Sequence, residues 1–293
     1  MQLLKYPGAK IHVWGGFGSQ LYGVYTFLLL RRQNPKRESQ LVFHSSGVTA
    51  RSPQTHLLNR NLPIIYIDDF SVSSRTHKLR ENEPTTLKLS RGLKRFLSLL
   101  GFIDSLEPAD GHAITKFRTI QFRGHYTYFS LDQAVLAELI ALPDESGLPL
   151  FEIDKPILES QMGIHFRLGD LLELESKSYL DPERISKLIQ GNLCDSGCDV
   201  VVYTDSLDDF WTRIRDGIKV DNVTASSKDP ITTIQELVRS NIFIGTTSKI
   251  SIWICIFRCL TAVGRISYMP IEMKQTLDRQ LKFLNSSGVN YYN

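Results

Sequence analysis

The carboxyl-terminal half of the chain alternates short apolar runs with amphipathic segments, a pattern typical of alternating strands and helices. Strands are predicted over residues 162–168, 199–204, 241–245 and 265–268, the last of which would close the series. Helices are predicted over 182–192 and 207–216, from Pro230 onward, and over 249–262. This alternation predicts a parallel sheet with right-handed crossovers, which is a Rossmann-like arrangement.

The amino-terminal half opens with the same pattern. A strand is predicted over 11–14, a tight turn over 15–18, an apolar helix over 20–32 and a second strand over 41–43. Ser130 and Gln133 form a capping box that predicts a helix over 130–142. The Pro-, Gly- and acid-rich segment 143–156 is the predicted linker, so we expect two domains, residues 1–150 and 151–293.

A basic amphipathic helix is predicted over residues 85–103. Its charge forms either a solvated face or a contact with an anionic membrane surface or a lipid-diphosphate-linked acceptor. Further along, Arg118, Arg123 and His125 precede the aromatic segment 126–129, which either binds a sugar or belongs to the core.

The strand at 162–168 is predicted to end by presenting basic side chains. Strand alternation places His165 and Arg167 on one face. The opposite face carries apolar side chains, those of Met162, Ile164, Phe166 and Leu168. Ligands of open α/β sheets bind at the carboxyl ends of strands, and a guanidinium suits a phosphate. The alternative is a structural Arg167 that is paired with a carboxylate such as Asp170.

Four segments follow one another in a recognisable order. They are Gly15-Gly16-Phe17-Gly18-Ser19-Gln20-Leu21, His165-x-Arg167-x-Gly169-Asp170, Tyr203-Thr204-Asp205 and Asn241-Ile-Phe-Ile-Gly245-Thr246-Thr247-Ser248. These resemble, in turn, the GGxGNQL, HxRRGD, FSD and NxxxNSS-type segments of the α-1,2-fucosyltransferase family (glycosyltransferase family 11), of which the chain would be a remote member. The resemblance spans residues 11 to 270.

The resemblance implies a GT-B-like α/β fold, with two Rossmann-like lobes facing across a cleft. Residues 1–150 would form the acceptor-side lobe and 151–293 the GDP-sugar donor lobe. The implied enzyme is an inverting, metal-independent glycosyltransferase without a cofactor. It would move a 6-deoxy-L-sugar, L-fucose or a relative, from a GDP-sugar donor to a hydroxyl of a glycan acceptor in bacterial O-antigen synthesis.

The resemblance also implies roles for individual residues. Arg167 would neutralise the departing phosphate, and Asp170 or His125 would accept the proton of the acceptor hydroxyl, although Asp170 could instead hold Arg167 in place. Candidate donor-binding residues are Gly16, Ser19, Gln20, His165, Arg167, Asp205, Thr246, Thr247 and Ser248. The last three lie at a predicted helix start that favours a phosphate, but Thr247 or Ser248 could serve only as the helix cap.

Departures from the family pattern keep other functions open. Leu168 replaces the second arginine of HxRRGD, and Ser19 replaces the asparagine of GGxGNQ. A GDP-colitose-dependent transferase of the same family fits these changes as well as a fucosyltransferase does. A non-catalytic glycan-binding protein with a degenerate site is a further alternative. The segment Asp205–Asp209 lacks the DxD spacing of a metal-dependent transferase, and Leu21 interrupts a GxGxxG dinucleotide motif.

Composition narrows the remaining classes of protein and the kinds of partner. The 293 residues include 34 basic and 31 acidic side chains, and a formal charge of +3 argues against a nucleic-acid partner. No signal peptide or apolar span is apparent in the sequence, so a cytoplasmic protein with peripheral contact to the inner membrane face is expected. The Cys194/Cys198 and Cys255/Cys259 pairs are expected to be free thiols and not zinc ligands.

Overall fold

The computed structural model describes residues 9–36, 38–44, 57, 60–67, 103–105, 121–123, 130–168, 181–192, 198–261, 265–284 and 288–293. The chain divides into two compact units, Met1–Leu150 and Phe151–Asn293. Each unit is built on a parallel sheet, so the predicted α/β class is confirmed.

The described strands of the first unit form one parallel sheet in the order β3-β2-β1-β5-β4. They are β1 (Ala9–Trp14), β2 (Ser39–His44), β3 (Ile64–Ile67), β4 (Ile103–Ser105) and β5 (Gln121–Arg123). β4 begins at the last residue of the predicted basic helix 85–103, and the rest of that helix lies outside the described residues.

Helix α1 (Phe17–Gln33) follows β1 directly and packs closely against it. Gly15 has φ 98°, a conformation that favours glycine, and allows the chain to turn from the strand into the helix. A side chain at Gly23 would lie 2.2 Å from a methyl group of Val13, so the contact between helix and strand needs a glycine there.

Helix α2 (Gln133–Ile140) is shorter than predicted, and the prediction that Ser130 caps it was wrong. The cap is Asp132, whose carboxylate accepts hydrogen bonds from the backbone N–H groups of Ala134 and Val135 at 2.9 and 3.0 Å. The Asp132 N–H donates to the Tyr25 hydroxyl at 2.6 Å. This bond ties the non-helical backbone before α2 to α1.

The second unit contains a six-stranded parallel sheet in the order β11-β10-β9-β6-β7-β8. The strands are β6 (Leu158–Phe166), β7 (Asp199–Thr204), β8 (Val223–Ser226), β9 (Ser240–Ile244), β10 (Ile266–Pro270) and β11 (Val289–Tyr292). The described helices are α3 (Pro182–Asn192), α4 (Pro230–Arg239), α5 (Lys249–Thr261) and α6 (Lys274–Gln280).

When β6 is counted as strand 1, the order read from β8 to β11 is 3-2-1-4-5-6. This is the strand order of a dinucleotide-binding Rossmann sheet. The chain therefore builds outward from β6 in one direction, returns, and builds outward from β9 in the other. β6 and β9 lie side by side at this reversal, and the carboxyl ends of such strands are where ligands bind in open α/β sheets.

The two faces of β6 pack differently, as the alternation predicts. Met162, Ile164, Phe166 and Leu168 all belong to one apolar core with residues of α3 and of the segment after β7. On the opposite face, a side chain at Gly163 would collide with Leu237 of α4 and with Ser240. The apolar prediction for this strand is confirmed, and the His165 face lies under α4.

Other predicted boundaries need correction. The segment predicted as helix 207–216 begins as the short helical turn Leu207–Asp209, continues as the π-helical turn Phe210–Ile214 and ends as the 3₁₀ turn Arg215–Gly217. The strand predicted over 265–268 does not close the series, because α6 and β11 follow it. β8, at the other edge of the sheet, was also missed.

A buried arginine anchors α5 to its neighbours. Arg258 is only 2% exposed, and its guanidinium donates to carbonyl groups at the end of α4 and the starts of β9 and β10, as well as to a hydroxyl. The acceptors are the carbonyls of Leu237, Val238, Ser240, Asn241 and Ile266 and Oγ of Ser267. This network holds α5, and with it the segment before the helix, against the sheet.

Candidate functional site

The predicted phosphate-binding residues lie at the reversal point of the second sheet. Arg167 directly follows β6, and Thr246–Ser248 connect β9 to α5. Because β6 and β9 are neighbouring parallel strands, their following segments lie at the same edge of the sheet. The tertiary structure thus brings together two sequence motifs that are about 80 residues apart.

His165, at the end of β6, connects the segment that carries Arg167 to the start of α5. Its Nδ1 lies 2.8 Å from Oγ of Ser251, in the first turn of α5. The same hydroxyl accepts a hydrogen bond from the backbone N–H of Thr246 at 3.0 Å. Burial, and secondarily the charge of Arg167, lowers the pKa of His165 to about 3. His165 is therefore a neutral, buried residue that positions the start of α5 at neutral pH.

The three hydroxyl residues predicted to bind phosphate have different environments. Thr246 is buried, and its hydroxyl lies 3.4 Å from that of Ser251. Ser248 is also buried, and its Oγ accepts a hydrogen bond from the backbone N–H of Ile250 at 3.2 Å, so it caps α5. Thr247 is partly exposed, so its side chain is the most accessible of the three.

The segment before α5 is held tightly from its other side. The Tyr292 hydroxyl of β11 donates to the carbonyl of Gly245 at 2.6 Å. A side chain at Gly245 would lie 2.3 Å from the Met269 sulfur and 3.1 Å from the Ser251 side chain. A strand that the sequence analysis missed therefore helps to fix the candidate phosphate-binding segment.

Asp205 follows β7 and supports the segment that carries Arg167. Its Oδ1 accepts a hydrogen bond from the backbone N–H of Leu168 at 2.7 Å. The carboxylate thus fixes the backbone directly after Arg167. The resemblance implied donor binding by Asp205, and this hydrogen bond supports a positioning role for the same carboxylate.

Lys249 is a residue of this site that the sequence analysis missed. It is the first residue of α5, partly buried, two positions before the Ser251 that contacts His165. Burial and the neighbouring charge of Arg167 lower the pKa of Lys249 to about 8. A signal was present in the sequence, because a lone lysine interrupts the apolar run between 249 and 262 directly after the Thr-Thr-Ser segment.

In the first unit, Gly16, Ser19 and Gln20 lie at the start of α1. The Gly16 carbonyl accepts hydrogen bonds from the N–H groups of Ser19 and Gln20 at 2.9 and 3.2 Å. Ser19 and Gln20 are both buried. Within the part of the chain that the structure describes, Oε1 of Gln20 has no hydrogen-bond partner. An acceptor of this kind at a helix start suits a polar ligand.

A cluster of three rings at the carboxyl ends of β1 and β2 was also missed. Trp14 stacks on His44 with 4.4 Å between ring centroids, and Nδ1 of His12 lies 2.8 Å from Nε2 of His44. The signal is the strand alternation, which puts positions 12 and 14 on one face, while the register pairs Trp14 with His44.

Some predicted residues cannot be placed. Asp170 and His125, the two candidate bases, lie outside the described residues, as do Gly169 and Cys194. Among the described residues, Cys198, Cys255 and Cys259 are free thiols. The same residues contain no group of three or more His, Cys, Asp or Glu side chains that could hold a metal ion. Their helices are all too short or too polar to cross a membrane.

No protein-family model matches the chain, and no curated protein matches it. Among solved structures, it is similar to fucosyltransferase NodZ from Bradyrhizobium, with 14% identity and a TM-score of 0.39 over 88% of this chain and 94% of that chain. It is also similar to E. coli heptosyltransferase WaaC with ADP, with 11% identity and a TM-score of 0.46 over 97% and 92%. POFUT1 in complex with GDP gives 13% identity and a TM-score of 0.44 over 90% and 98%. Membership of the α-1,2-fucosyltransferase family stays a prediction from the motifs.

Proposed function

We propose that this protein is a glycosyltransferase that uses a GDP-linked 6-deoxy-L-sugar, L-fucose or a relative, and transfers the sugar with inversion to a hydroxyl of a glycan acceptor. The acceptor would be a growing bacterial surface polysaccharide such as O-antigen, carried on a lipid diphosphate. The donor diphosphate would bind to the second unit.

One observation carries the proposal. Arg167 and the Thr246–Ser248 segment, which belong to two separate motifs of the resemblance, follow the adjacent strands β6 and β9 at the reversal point of a Rossmann-type sheet. Nucleotide phosphates bind at this point in open α/β sheets, because strand ends and helix starts expose backbone N–H groups there. A guanidinium and a hydroxyl-rich helix start at this one edge supply the groups that a diphosphate needs.

The chemistry requires a cation at this place. When the sugar leaves the nucleotide, its anomeric carbon gains positive charge and the diphosphate gains negative charge. A guanidinium next to the leaving phosphate stabilises that developing charge more strongly in the transition state than in the ground state. Arg167 therefore contributes to the rate and not only to donor binding.

The hydrogen bonds that hold the segments around Arg167 suit a role in catalysis. Asp205 fixes the backbone at Leu168, and the His165–Ser251 contact fixes the facing helix start. Each contact holds a group whose position would decide how well the diphosphate is bound. Catalysis by orientation needs this kind of rigid support.

A panel of ligands tests the donor class. Thermal shifts are measured with GDP, GDP-fucose, GDP-mannose, UDP and ADP, since a ligand at 100 times its dissociation constant stabilises the bound protein by about 2.7 kcal/mol. We expect stabilisation by GDP and by GDP-linked deoxysugars. Stabilisation by UDP or ADP alone would contradict the proposed donor.

Variants of Arg167 test the role of the cation. Arg167→Met should reduce transfer from GDP-fucose by at least about a hundredfold, which corresponds to the loss of a strong charge-assisted contact in the transition state. Arg213→Met is the matched control, because Arg213 is an exposed arginine of the same unit. Full activity of Arg167→Met, with a donor that binds the wild type, would refute the assigned role.

A further inference from the structure

The side chain at position 168 cannot supply a second cation to the diphosphate. Leu168 is fully buried in the apolar core that β6 forms with α3. The neighbouring Arg167 is only partly buried and lies at the carboxyl end of the strand. In this chain the position that carries the second arginine of the HxRRGD motif therefore serves packing.

A different cation lies next to Arg167. Lys249 begins α5, and α5 is held to β6 by the contact between Ser251 and His165, two residues before Arg167. Lys249 in turn lies two residues before Ser251. Both basic residues are therefore close in sequence to a partner of this 2.8 Å contact. Burial, and secondarily the charge of Arg167, lowers the pKa of Lys249.

An anion is favoured at this place. Lys249 is partly buried, Arg167 follows the neighbouring strand, and the start of a helix carries a partial positive charge. A doubly charged phosphate group near the two side chains would interact favourably with both cations and with the helix start.

We propose that Lys249 is a second diphosphate-binding residue, which acts beside Arg167 and supplies the cation that position 168 does not. The inference rests on the proposed function, which identifies the nucleotide that carries the diphosphate. The recognised chemical group is the diphosphate itself. In the reaction the ammonium group would bind the leaving nucleotide diphosphate, while Arg167 stabilises the charge that develops on it.

The test compares Lys249→Met, Lys249→Arg and Lys187→Met with the wild type. Lys187 is an exposed lysine of α3 in the same unit and is the matched control. Dissociation constants are measured by calorimetry for inorganic pyrophosphate, GDP and guanosine. Loss of a charge-assisted contact should weaken pyrophosphate and GDP binding about tenfold or more in Lys249→Met. Lys249→Arg should stay within about threefold of the wild type, and guanosine binding should not change.

A second measurement separates binding from a structural role. Without ligand, Lys249→Met should melt at the same temperature as the Lys187→Met control. A lysine that only stabilises the fold would lower the melting temperature of Lys249→Met and leave its pyrophosphate affinity unchanged. Unchanged pyrophosphate affinity in Lys249→Met, or equal losses in the Met and Arg variants, would overturn the proposal.

The same measurements distinguish a failure of the proposed function from a failure of the role proposed for Lys249. If pyrophosphate binds and Lys249→Met weakens it, but GDP binds no better than UDP or ADP, then the proposed donor is wrong and Lys249 keeps its assigned role. If GDP binds equally well to the wild type and to Lys249→Met, the donor stands and the role of Lys249 is refuted. If the wild type binds neither pyrophosphate nor GDP, both proposals fail.

Discussion

The imidazole of His165 and the hydroxyl of Ser251 are 2.8 Å apart, and this contact joins the central strand β6 to the first turn of α5. His165 is 95% buried, since its relative exposure is 5%. Arg167 lies two residues after His165, and Lys249 lies two residues before Ser251. The geometry of the candidate diphosphate site therefore depends on a neutral histidine.

The protonation of His165 predicts how stability depends on pH. Its folded-state pKa of about 3 lies below the ordinary value of 6.5, so the unfolded chain binds the proton more readily. The stabilising contribution is complete above about pH 6.5 and is lost as the pH falls toward 3. Between about pH 6.5 and about pH 5 the free energy of unfolding should fall by about 2 kcal/mol from this group.

Urea unfolding at these two pH values checks the prediction, with His165→Gln as the control, because glutamine does not titrate. The wild type should lose more stability than the variant over this interval. Equal losses in both proteins would show that His165 titrates normally in the folded state.

Asp205 is expected to matter for donor binding through the backbone of Leu168. Asp205→Ala removes the acceptor of the 2.7 Å hydrogen bond and releases the segment that carries Arg167. We expect GDP affinity to fall about tenfold, while the unit stays folded. Asp205→Asn keeps an acceptor oxygen and should lose less. Titration calorimetry on both variants, with circular dichroism as the check of folding, measures the difference; a larger loss in the Asn variant would contradict the positioning role.

Ligand binding should depend on pH through Lys249. Because its pKa is about 8 in the free protein, the ammonium group begins to lose its proton just above neutral pH. Of the described groups near it, Arg167 contributes the neighbouring positive charge and His165 stays neutral in this range. GDP affinity should therefore fall as the pH rises above about 8, and GDP binding at this pH should be accompanied by proton uptake.

Calorimetry at about pH 8 in buffers of different ionisation enthalpy measures this uptake. Lys249→Arg is the control, since an arginine stays protonated throughout and should show no uptake and a flat pH dependence. Proton uptake of the same size in Lys249→Arg would assign the titration to another group.

Arg258 should contribute strongly to the stability of the second unit. Arg258→Met keeps an apolar stem but removes the donors for five backbone carbonyls at the junction of α4, β9 and β10. Leaving buried acceptors unsatisfied should cost about 3 kcal/mol or more of the free energy of unfolding. Chemical unfolding measures the loss. Arg279→Met, in α6, is the control and should unfold like the wild type.

Much of the second unit could be predicted from local pattern. The bounds of α3 and β7 agree with their predictions, because Pro182 starts one helix and an unbroken apolar run forms the strand. The amino-terminal cap of α2 shows the limit of such rules. The sequence pattern predicted Ser130, whereas the structure caps the helix with Asp132, whose N–H also donates to the Tyr25 hydroxyl of α1.

The candidate site shows the same division. Local sequence marks Arg167 and Thr246–Ser248 as separate anion-binding candidates, and strand alternation correctly separates the apolar face of β6 from the face that carries His165. In the sequence Lys249 is marked only as a lysine at the start of an apolar segment, whereas its proximity to Arg167, which follows β6, comes from the tertiary structure. The hydroxyl of Tyr292, which donates to the carbonyl of Gly245, likewise acts from another element, the strand β11 that the sequence did not predict.

The sequence by itself determined the alternation of strands and helices, the parallel α/β class and the residue types at the strand ends, because periodicity and capping act over a few neighbouring residues. Only the tertiary structure decided that β6 and β9 are adjacent and that Lys249 lies within the electrostatic influence of Arg167. Strand order is set by the packing of the whole sheet. A charge also becomes significant only through the groups that folding places around it.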